Sequence, residues 1–366
     1  AFNDVAITAG QGKISVTGST GKALDIRATI SALPASLANT FASGLDASGS
    51  INATVTVSGN PAAPVVAFET SIVNASIGQI KTAGIKPLAI SAKGKLASNV
   101  LALDTTVRNG DGLSLTAKGT VGITGAMPLS IAVNGQLPFS AAAAQLAAQG
   151  IALKGDARFA LAIKGTAAKP AISGTITSSG GTLTVIRQNL VINALSANVS
   201  LSGDQARITA VTGQLAGGGT VSVSGTVGFA PGSGLPAVLK IVLANAVYVD
   251  GNIVAAKLSG DLAINGKLQN GPALTGIVKV RRADITIPER LPGALSKINV
   301  KHKNAPTDVA VQSAEIKAAK GDKGKRDTSG GIKLDLKISA PRQIFVRGRG
   351  LDTELGGEVR VTGTSG

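Results

Sequence analysis

The chain has 366 residues, and 36 Lys or Arg against 20 Asp or Glu give a net charge of +16 at pH 7. Without Cys and with one His it can be neither a disulfide scaffold nor a zinc finger, and it lacks the histidine cluster of most iron and zinc enzymes. Apolar residues reach 44% but aromatic ones only 2%, so the buried surface must be aliphatic, and a nucleic-acid partner that stacks its bases on aromatic rings is not expected.

Apolar and polar residues alternate with period two in short runs along the whole chain, which predicts strands with one aliphatic face and one polar, solvent-exposed face. Turn signals such as Asn109–Gly112 and Asn265-Gly266 recur roughly every 8 to 12 residues, which favours antiparallel neighbours. Two segments, 31–44 and 138–150, instead have Pro near the start, Ala and Leu inside and Gly at the end, and predict short helices. We therefore predict an all-β fold: a long, curved, mainly antiparallel repeat sheet with one or two short helices.

Glycine placement reveals an internal repeat. Equivalent strand ends carry Gly59, Gly165, Gly266 and Gly363, and these spacings are 165 − 59 = 106, 266 − 165 = 101 and 363 − 266 = 97 residues. The predicted organisation is a partial first repeat at 1–58, repeats at 59–164 and 165–265, and a last repeat at 266–366 that contains a polar loop at 315–331.

Medium-sized aliphatic residues on one face of a long sheet suit either a closed, dry β core or an open apolar groove, and both interpretations stay open here. In a groove, apolar burial is non-directional, so a long acyl chain is a natural occupant. The predicted groove residues come from the alternating runs: Ile14, Val16, Leu115, Leu183, Val185, Val199, Leu201, Val221, Val223, Leu334 and Leu336.

The segment IKLDLKISAPRQIFVRGRGLDTELGGEVRVTGT, from Ile332 to Thr364, resembles the C-terminal region of the TamB family, the inner-membrane subunit of the translocation and assembly module. The repeated LPASLANTFASGLDASGSINATVTVSGNPAAP and LPFSAAAAQLAAQGIALKGDARFALAIKGTAAKP are similar to the repeat units of that family. The resemblance implies an AsmA-like β-taco, a trough with an aliphatic interior. It implies a periplasmic protein, anchored to the inner membrane by an N-terminal helix that this chain lacks.

The resemblance also implies a function. We expect a hydrophobic groove that transports phospholipid between the inner and outer membranes and supports the assembly of outer-membrane proteins and autotransporters. Expected partners are phospholipid acyl chains and a TamA-like outer-membrane barrel, the latter through family residues that would follow Gly366. The alternative is a scaffold that adds strands of outer-membrane protein clients to its sheet without conducting lipid. A third class, a Gly-rich surface adhesin, predicts coils of some 20 residues, much shorter than this repeat.

No catalytic or metal-binding constellation emerges from the sequence, so we expect neither an enzyme nor a cofactor. His302 has no nearby nucleophile and acid, and Asp111 and Asp204 lie in Gly-rich turns without the repeated acidic ligands of a calcium loop. The basic residues near the end of the chain are candidates for binding anionic head groups or an acidic partner. They are Arg281, Arg282, Arg290, Arg342, Arg347 and Arg349.

Overall fold

The computed structural model describes residues 2–42, 44–186, 189–251, 253–288 and 331–365, with side chains from Val5 onward. The chain forms two compact units, of which the first comprises 1–216 with 220–230 and the second 217–219 with 231–366. Among the described residues, no helix is long and apolar enough to cross a membrane.

The strands of the first unit alternate between half-buried aliphatic and exposed polar residues, as the sequence pattern predicts. In β3, Leu24 and Ile26 are half-buried while Asp25 and Arg27 are exposed. The strands of this unit are β1 (Phe2–Ala9), β2 (Gly12–Ser19), β3 (Leu24–Pro34), β4 (Ser48–Asn60), β5 (Ala63–Ser76), β6 (Leu88–Ala97), β7 (Val100–Arg108), β8 (Ser114–Gly122), β9 (Pro128–Pro138), β10 (Ile151–Lys154), β11 (Asp156–Thr166), β12 (Lys169–Val185), β13 (Leu190–Ser202), β14 (Gln205–Leu215) and β15 (Thr220–Gly228).

Every pairing within the first unit is antiparallel, and each strand pairs with the next along the chain from β1 to β9 and from β11 to β15. β9 pairs with β11, and the short β10 pairs with the far end of β12, beyond the point where β11 begins. The result is a meander whose spatial order follows the sequence order.

Short helices interrupt the meander at both predicted places. A 3₁₀ helix spans Ala35–Thr40, and a 3₁₀ turn at Phe139–Ala142 leads into a helix at Ala143–Ala148. An additional one-turn helix at Gly78–Thr82 was not predicted, because five residues are too few to show a helical period. A 3₁₀ turn at Leu268–Asn270 lies in the second unit.

The second unit contains the one parallel pairing among the described strands. Its strands are β16 (Pro236–Asp250), β17 (Val254–Lys267), β18 (Ala273–Thr286), β19 (Lys333–Gly348) and β20 (Leu351–Thr364). β16, β17 and β18 are antiparallel neighbours, β18 and β19 are parallel, and β19 and β20 are antiparallel again. We call the β18–β19 pairing the parallel seam.

Within each unit, β-bulges occur close to one level of its strands. In the first unit the register shifts after Ile30, Ile72 and Ser178, and in the second it shifts after Leu243 and Ala340. Residues inside these shifts adopt positive φ, among them Ala32 (49°), Asn74 (56°), Asn245 (51°) and Gln343 (71°). A bulge adds one unpaired residue and bends its strand. We call this set of irregularities the bulge line.

The predicted fold class is confirmed: the described residues form mainly antiparallel sheet with a few short helices. The strands are longer than the turn spacing suggested, because β12 has 17 residues and β16 has 15. The four glycines of the repeat share a positive φ, from 94° at Gly59 to 132° at Gly363. The boundaries at 58, 164 and 265 stay a prediction, and the polar loop predicted at 315–331 lies, except for Gly331, outside the described residues.

Candidate functional site

An aliphatic row crosses the first unit, one residue per strand. Residues directly opposite each other in a ladder project from the same side of the sheet. The pairings connect, from β3 to β9 and from β11 to β15, Leu33, Ile51, Ile72, Ile90, Val107, Leu115, Gly135, Phe159, Ile176, Val199, Ile208 and Gly225. We call the side of each unit's sheet that carries such rows its aliphatic face, and the other side its polar face.

The register brings the predicted groove residues of the first unit onto its aliphatic face. Leu115 and Val199 belong to the row itself. A second row, next to the first, leads from Ile14 through Ile30 to Leu201. Val223 lies opposite Val211. Val16 and Val221 lie on the same face because each is two residues from Ile14 or Val223 on its strand. Leu183 and Val185 lie on this face of β12 beyond its register shifts. All nine are half-buried.

Leu334 and Leu336 occupy the equivalent face of the second unit. One row connects Leu239, Ile264, Leu274, Leu334 and Gly363. The next row connects Ile241, Leu262, Gly276, Leu336 and Val361. The parallel seam therefore does not interrupt the aliphatic face, because its register keeps leucine opposite leucine or glycine.

No large apolar side chain among the described residues is completely buried. The most buried apolar residues are mainly alanines, with Ile192 as the largest. A closed, dry core would bury its Leu, Ile and Val to native packing density. The aliphatic faces are thus apolar surfaces without a packed partner layer, and this excludes the dry-core interpretation for the described part of the chain.

Buried alanines of the two aliphatic faces lie next to the bulges. Ala75 follows the bulge in β5, Ala246 follows the one in β16, and Ala340 precedes the one in β19; their exposures are 9%, 2% and 4%. Larger half-buried aliphatic residues precede these alanines on the same strands, namely Ile72, Leu243 and Ile338.

Two phenylalanines on the aliphatic face lie flat over glycines of the neighbouring strand. A Cβ on Gly94 would come within 2.6 Å of the Phe68 ring, and a Cβ on Gly135 within 2.7 Å of the Phe159 ring. Each glycine lies directly opposite its phenylalanine. The sequence contains both residue types, but their juxtaposition follows only from the register.

The basic candidates lie in a charged region of the second unit. Arg282 is on the polar face, where its Nε donates a 2.8 Å hydrogen bond to Asp284, and Arg347 approaches Asp284 at 3.7 Å and Asp352 at 3.2 Å. Both guanidinium groups stack on the ring of Phe345, at 5.3 and 5.0 Å from its centroid. We call Arg282, Asp284, Phe345 and Arg347 the Phe345 cluster; it bridges the parallel seam.

Hydrogen bonding within the Phe345 cluster shifts two pKa values. The hydrogen bond from Arg282 lowers the pKa of Asp284, with charge attraction from Arg282 and Arg347 adding to it, and the same bond raises the pKa of Arg282. The guanidinium groups of Arg282 and Arg347 are therefore already paired with carboxylates.

The remaining basic candidates are spread over the same region. Arg281 donates to the Ser259 hydroxyl at 3.2 Å, Arg349 donates to the Pro288 carbonyl at 3.2 Å, and Arg342 is exposed within the bulge of β19. Arg290 lies outside the described residues. Head-group binding by these arginines stays a prediction.

Groups of three or more potential metal ligands do not occur within the part of the chain that the structure describes.

Comparison with protein families gives one match, repeated along the chain. The TamB C-terminal domain matches residues 6–211 and again residues 207–366. Neither the curated proteins nor the solved structures contain a match to this chain. The two family matches together include both aliphatic faces.

Proposed function

The chain belongs to the TamB family, and we propose that the aliphatic face of each unit forms a groove for phospholipid acyl chains during transport between the inner and outer membranes. The family is one of non-enzymatic transport and assembly proteins, and membership suggests a protein of the periplasmic envelope. The observation that carries the proposal is the aliphatic row, continuous over twelve strands and only half-buried.

The chemistry of such a row suits an acyl chain. Each methylene that leaves water gains about 0.8 kcal/mol, wherever along an apolar surface it comes to rest. Because the row holds aliphatic side chains, glycines and one phenylalanine, it offers no polar anchor that would hold a lipid at one place. A lipid can therefore move along the row between sites of similar free energy.

Support for outer-membrane protein and autotransporter assembly, with a TamA-like barrel as partner, is part of the same proposal and rests on family membership alone. The anchor in the inner membrane rests on the same ground.

Native mass spectrometry with lipid extraction tests the groove on the chain purified from a bacterial host without detergent. We expect phospholipid to co-purify in more than one copy. A folded chain free of lipid would refute the groove and would make the scaffold the leading proposal.

A charge on the aliphatic face tests the location of the groove. Val223→Asp places a carboxylate there, and we expect it to reduce the bound phospholipid several-fold while the far-ultraviolet circular dichroism stays unchanged. Thr212→Asp is the matched control, because Thr212 is exposed on the polar face of the neighbouring strand. Equal loss of lipid in both variants, or unfolding by Val223→Asp alone, would contradict an open groove at this face.

One observation favours the strand-adding scaffold as a second candidate. Within the described residues β20 pairs only with β19, it extends over 14 residues, and it contains no proline. An exposed edge of this kind can accept an added strand. Binding of a peptide with the sequence of an outer-membrane β-strand, and its loss when Val359 is replaced by Pro, would support the scaffold.

A further inference from the structure

The aliphatic face of the second unit changes from apolar to polar along β16. From the middle of the strand towards its end, this face presents Ile241, Leu243, the buried Ala246, then Tyr248 and finally Asp250. The bulge after Leu243 keeps Ala246 and the residues beyond it on the same face. Along this strand the face thus passes from aliphatic side chains through a phenol to a carboxylate, and the row of Asp250 continues on the neighbouring strands through Val254, Ile285 and Val346.

Tyr248 is the amphipathic residue of this gradient. Tyr248 lies opposite Ala256, and the row that begins with this pair continues through Ala283 and Ile344 to Leu355. Tyr248 is 38% exposed. Within the described chain no residue forms a hydrogen bond with the Tyr248 hydroxyl. An exposed tyrosine with its ring on an apolar surface and its hydroxyl free is suited to a boundary between hydrocarbon and polar groups.

We propose that Tyr248 marks the level of the glycerol-ester and phosphate region of a phospholipid bound to the second unit. The ring contacts the first methylenes of the acyl chains, and the hydroxyl donates a hydrogen bond to an ester or phosphate oxygen. The acyl chains then extend past Ala246 over Leu243 and Ile241. This inference rests on the proposed groove function and adds an orientation to it.

The composition of the chain supplies the probe. Tyr248 is the one tyrosine and there is no tryptophan, so intrinsic tyrosine emission reports on this position alone. Bromine atoms on an acyl chain quench a nearby fluorophore over short distances. Phospholipid brominated close to the carbonyl end and phospholipid brominated close to the methyl end can therefore be compared on the unmodified protein.

We expect at least twofold stronger quenching from bromine at the carbonyl end than at the methyl end. Quenching that is equal, or stronger at the methyl end, would overturn the proposed level. Lipid that is bound by native mass spectrometry but does not quench would overturn the inference and leave the groove intact. A chain that binds no phospholipid at all would overturn both.

Substitutions separate the hydroxyl from the ring. Tyr248→Phe keeps the ring and removes the hydrogen-bond donor, and we expect the affinity for phospholipid vesicles to fall about threefold, as for the loss of one modest hydrogen bond. Val249→Ala is the matched control, because Val249 is adjacent, 44% exposed and on the polar face. An unchanged affinity in Tyr248→Phe, or an equal loss in Val249→Ala, would overturn the role of the hydroxyl.

Discussion

In the first unit, strands that lie side by side also follow one another closely along the chain, whereas the parallel seam of the second unit joins strands that are distant in sequence. β11 and β12 are connected through a two-residue turn between Thr166 and Lys169, but β18 ends at Thr286 and β19 begins at Lys333. Closing a longer loop costs more conformational entropy, so forming the parallel seam has a larger entropic cost than forming a hairpin.

Among the described residues, charged side chains form ion pairs in both units, but only in the second do they cross a parallel pairing. In the first unit, Lys81–Asp46 joins a short helix to a loop, Lys86–Asp111 joins two loops, and Lys118–Asp104 joins β8 to β7. In the second unit the pairs Arg360–Asp335 and Lys337–Glu358 join β19 to β20 across their hairpin, while the Phe345 cluster bridges the seam. The Phe345 cluster therefore supplies side-chain contacts to a pairing that no hairpin supports.

The largest effect should come from backbone contact in the hairpin-built unit. Gly174 has φ 135°, and a Cβ there would lie 2.1 Å from the carbonyl oxygen of Ala160. Gly174→Ala must therefore separate β11 from β12, and we expect the free energy of unfolding in urea to fall by about 3 kcal/mol or more. In the control Gly110→Ala the new Cβ meets no atom within 4 Å, and stability should change by less than about 0.5 kcal/mol. Similar losses in both would contradict the role of close approach.

A smaller effect is expected at the seam. Phe345→Ala removes a half-buried ring and the surface on which Arg282 and Arg347 stack, and we expect a loss of about 2 kcal/mol in unfolding monitored by Tyr248 emission. Val359→Ala is the control in the same unit, since Val359 is 61% exposed and should contribute little. If the two variants are equally stable, the Phe345 cluster does not stabilise the parallel pairing.

The smallest effect is a dependence on pH. Hydrogen bonds from Arg282, Arg360 and Lys337 lower the pKa of Asp284, Asp335 and Glu358, and all three carboxylates belong to the second unit. Because each folded-state pKa lies below the unfolded value, which is about 4, the stabilisation is present at neutral pH and is lost as pH falls below about 4.

Acid should therefore weaken the second unit before the first. Tyr248 emission follows the second unit, and circular dichroism follows the strands of both. We expect the emission change at higher pH than the loss of total strand signal, and Asp284→Asn should reduce that separation. Coincident transitions that the substitution does not move would show that these exposed pairs contribute nothing measurable.

Alternation and turn residues were sufficient to predict the fold class, because strand periodicity is a local property. The same alternation placed Leu115, Val199 and Val223 on one side of their strands. Whether these strands share a side depends on pairing register, and the bulge after Ser178 changes that register without a distinctive local pattern. The structure, not the periodicity, therefore establishes that these residues lie on one face.

Long-range features were beyond local patterns. The parallel seam depends on which strands meet, and the seating of Phe68 on Gly94 depends on a pairing across strands. Tyr248 was visible as the sole tyrosine, but its importance follows from the change from apolar to polar residues on its face. Arg282 and Arg347 were identified by charge, although their carboxylate partners could not be identified from sequence.

The bulge line has a consequence for folding fidelity. Strand segments of similar pattern, such as LTAKG at 115–119 and VSVSG at 221–225, could exchange partners during folding, and a slip of one residue would turn the aliphatic side chains to the wrong face. A bulge with a left-handed residue such as Asn74 or Asn245 fits only one alignment with its neighbour, since any shifted pairing leaves the extra residue against a regular strand. The bulges thus favour a single pairing register between neighbouring strands of a repetitive chain.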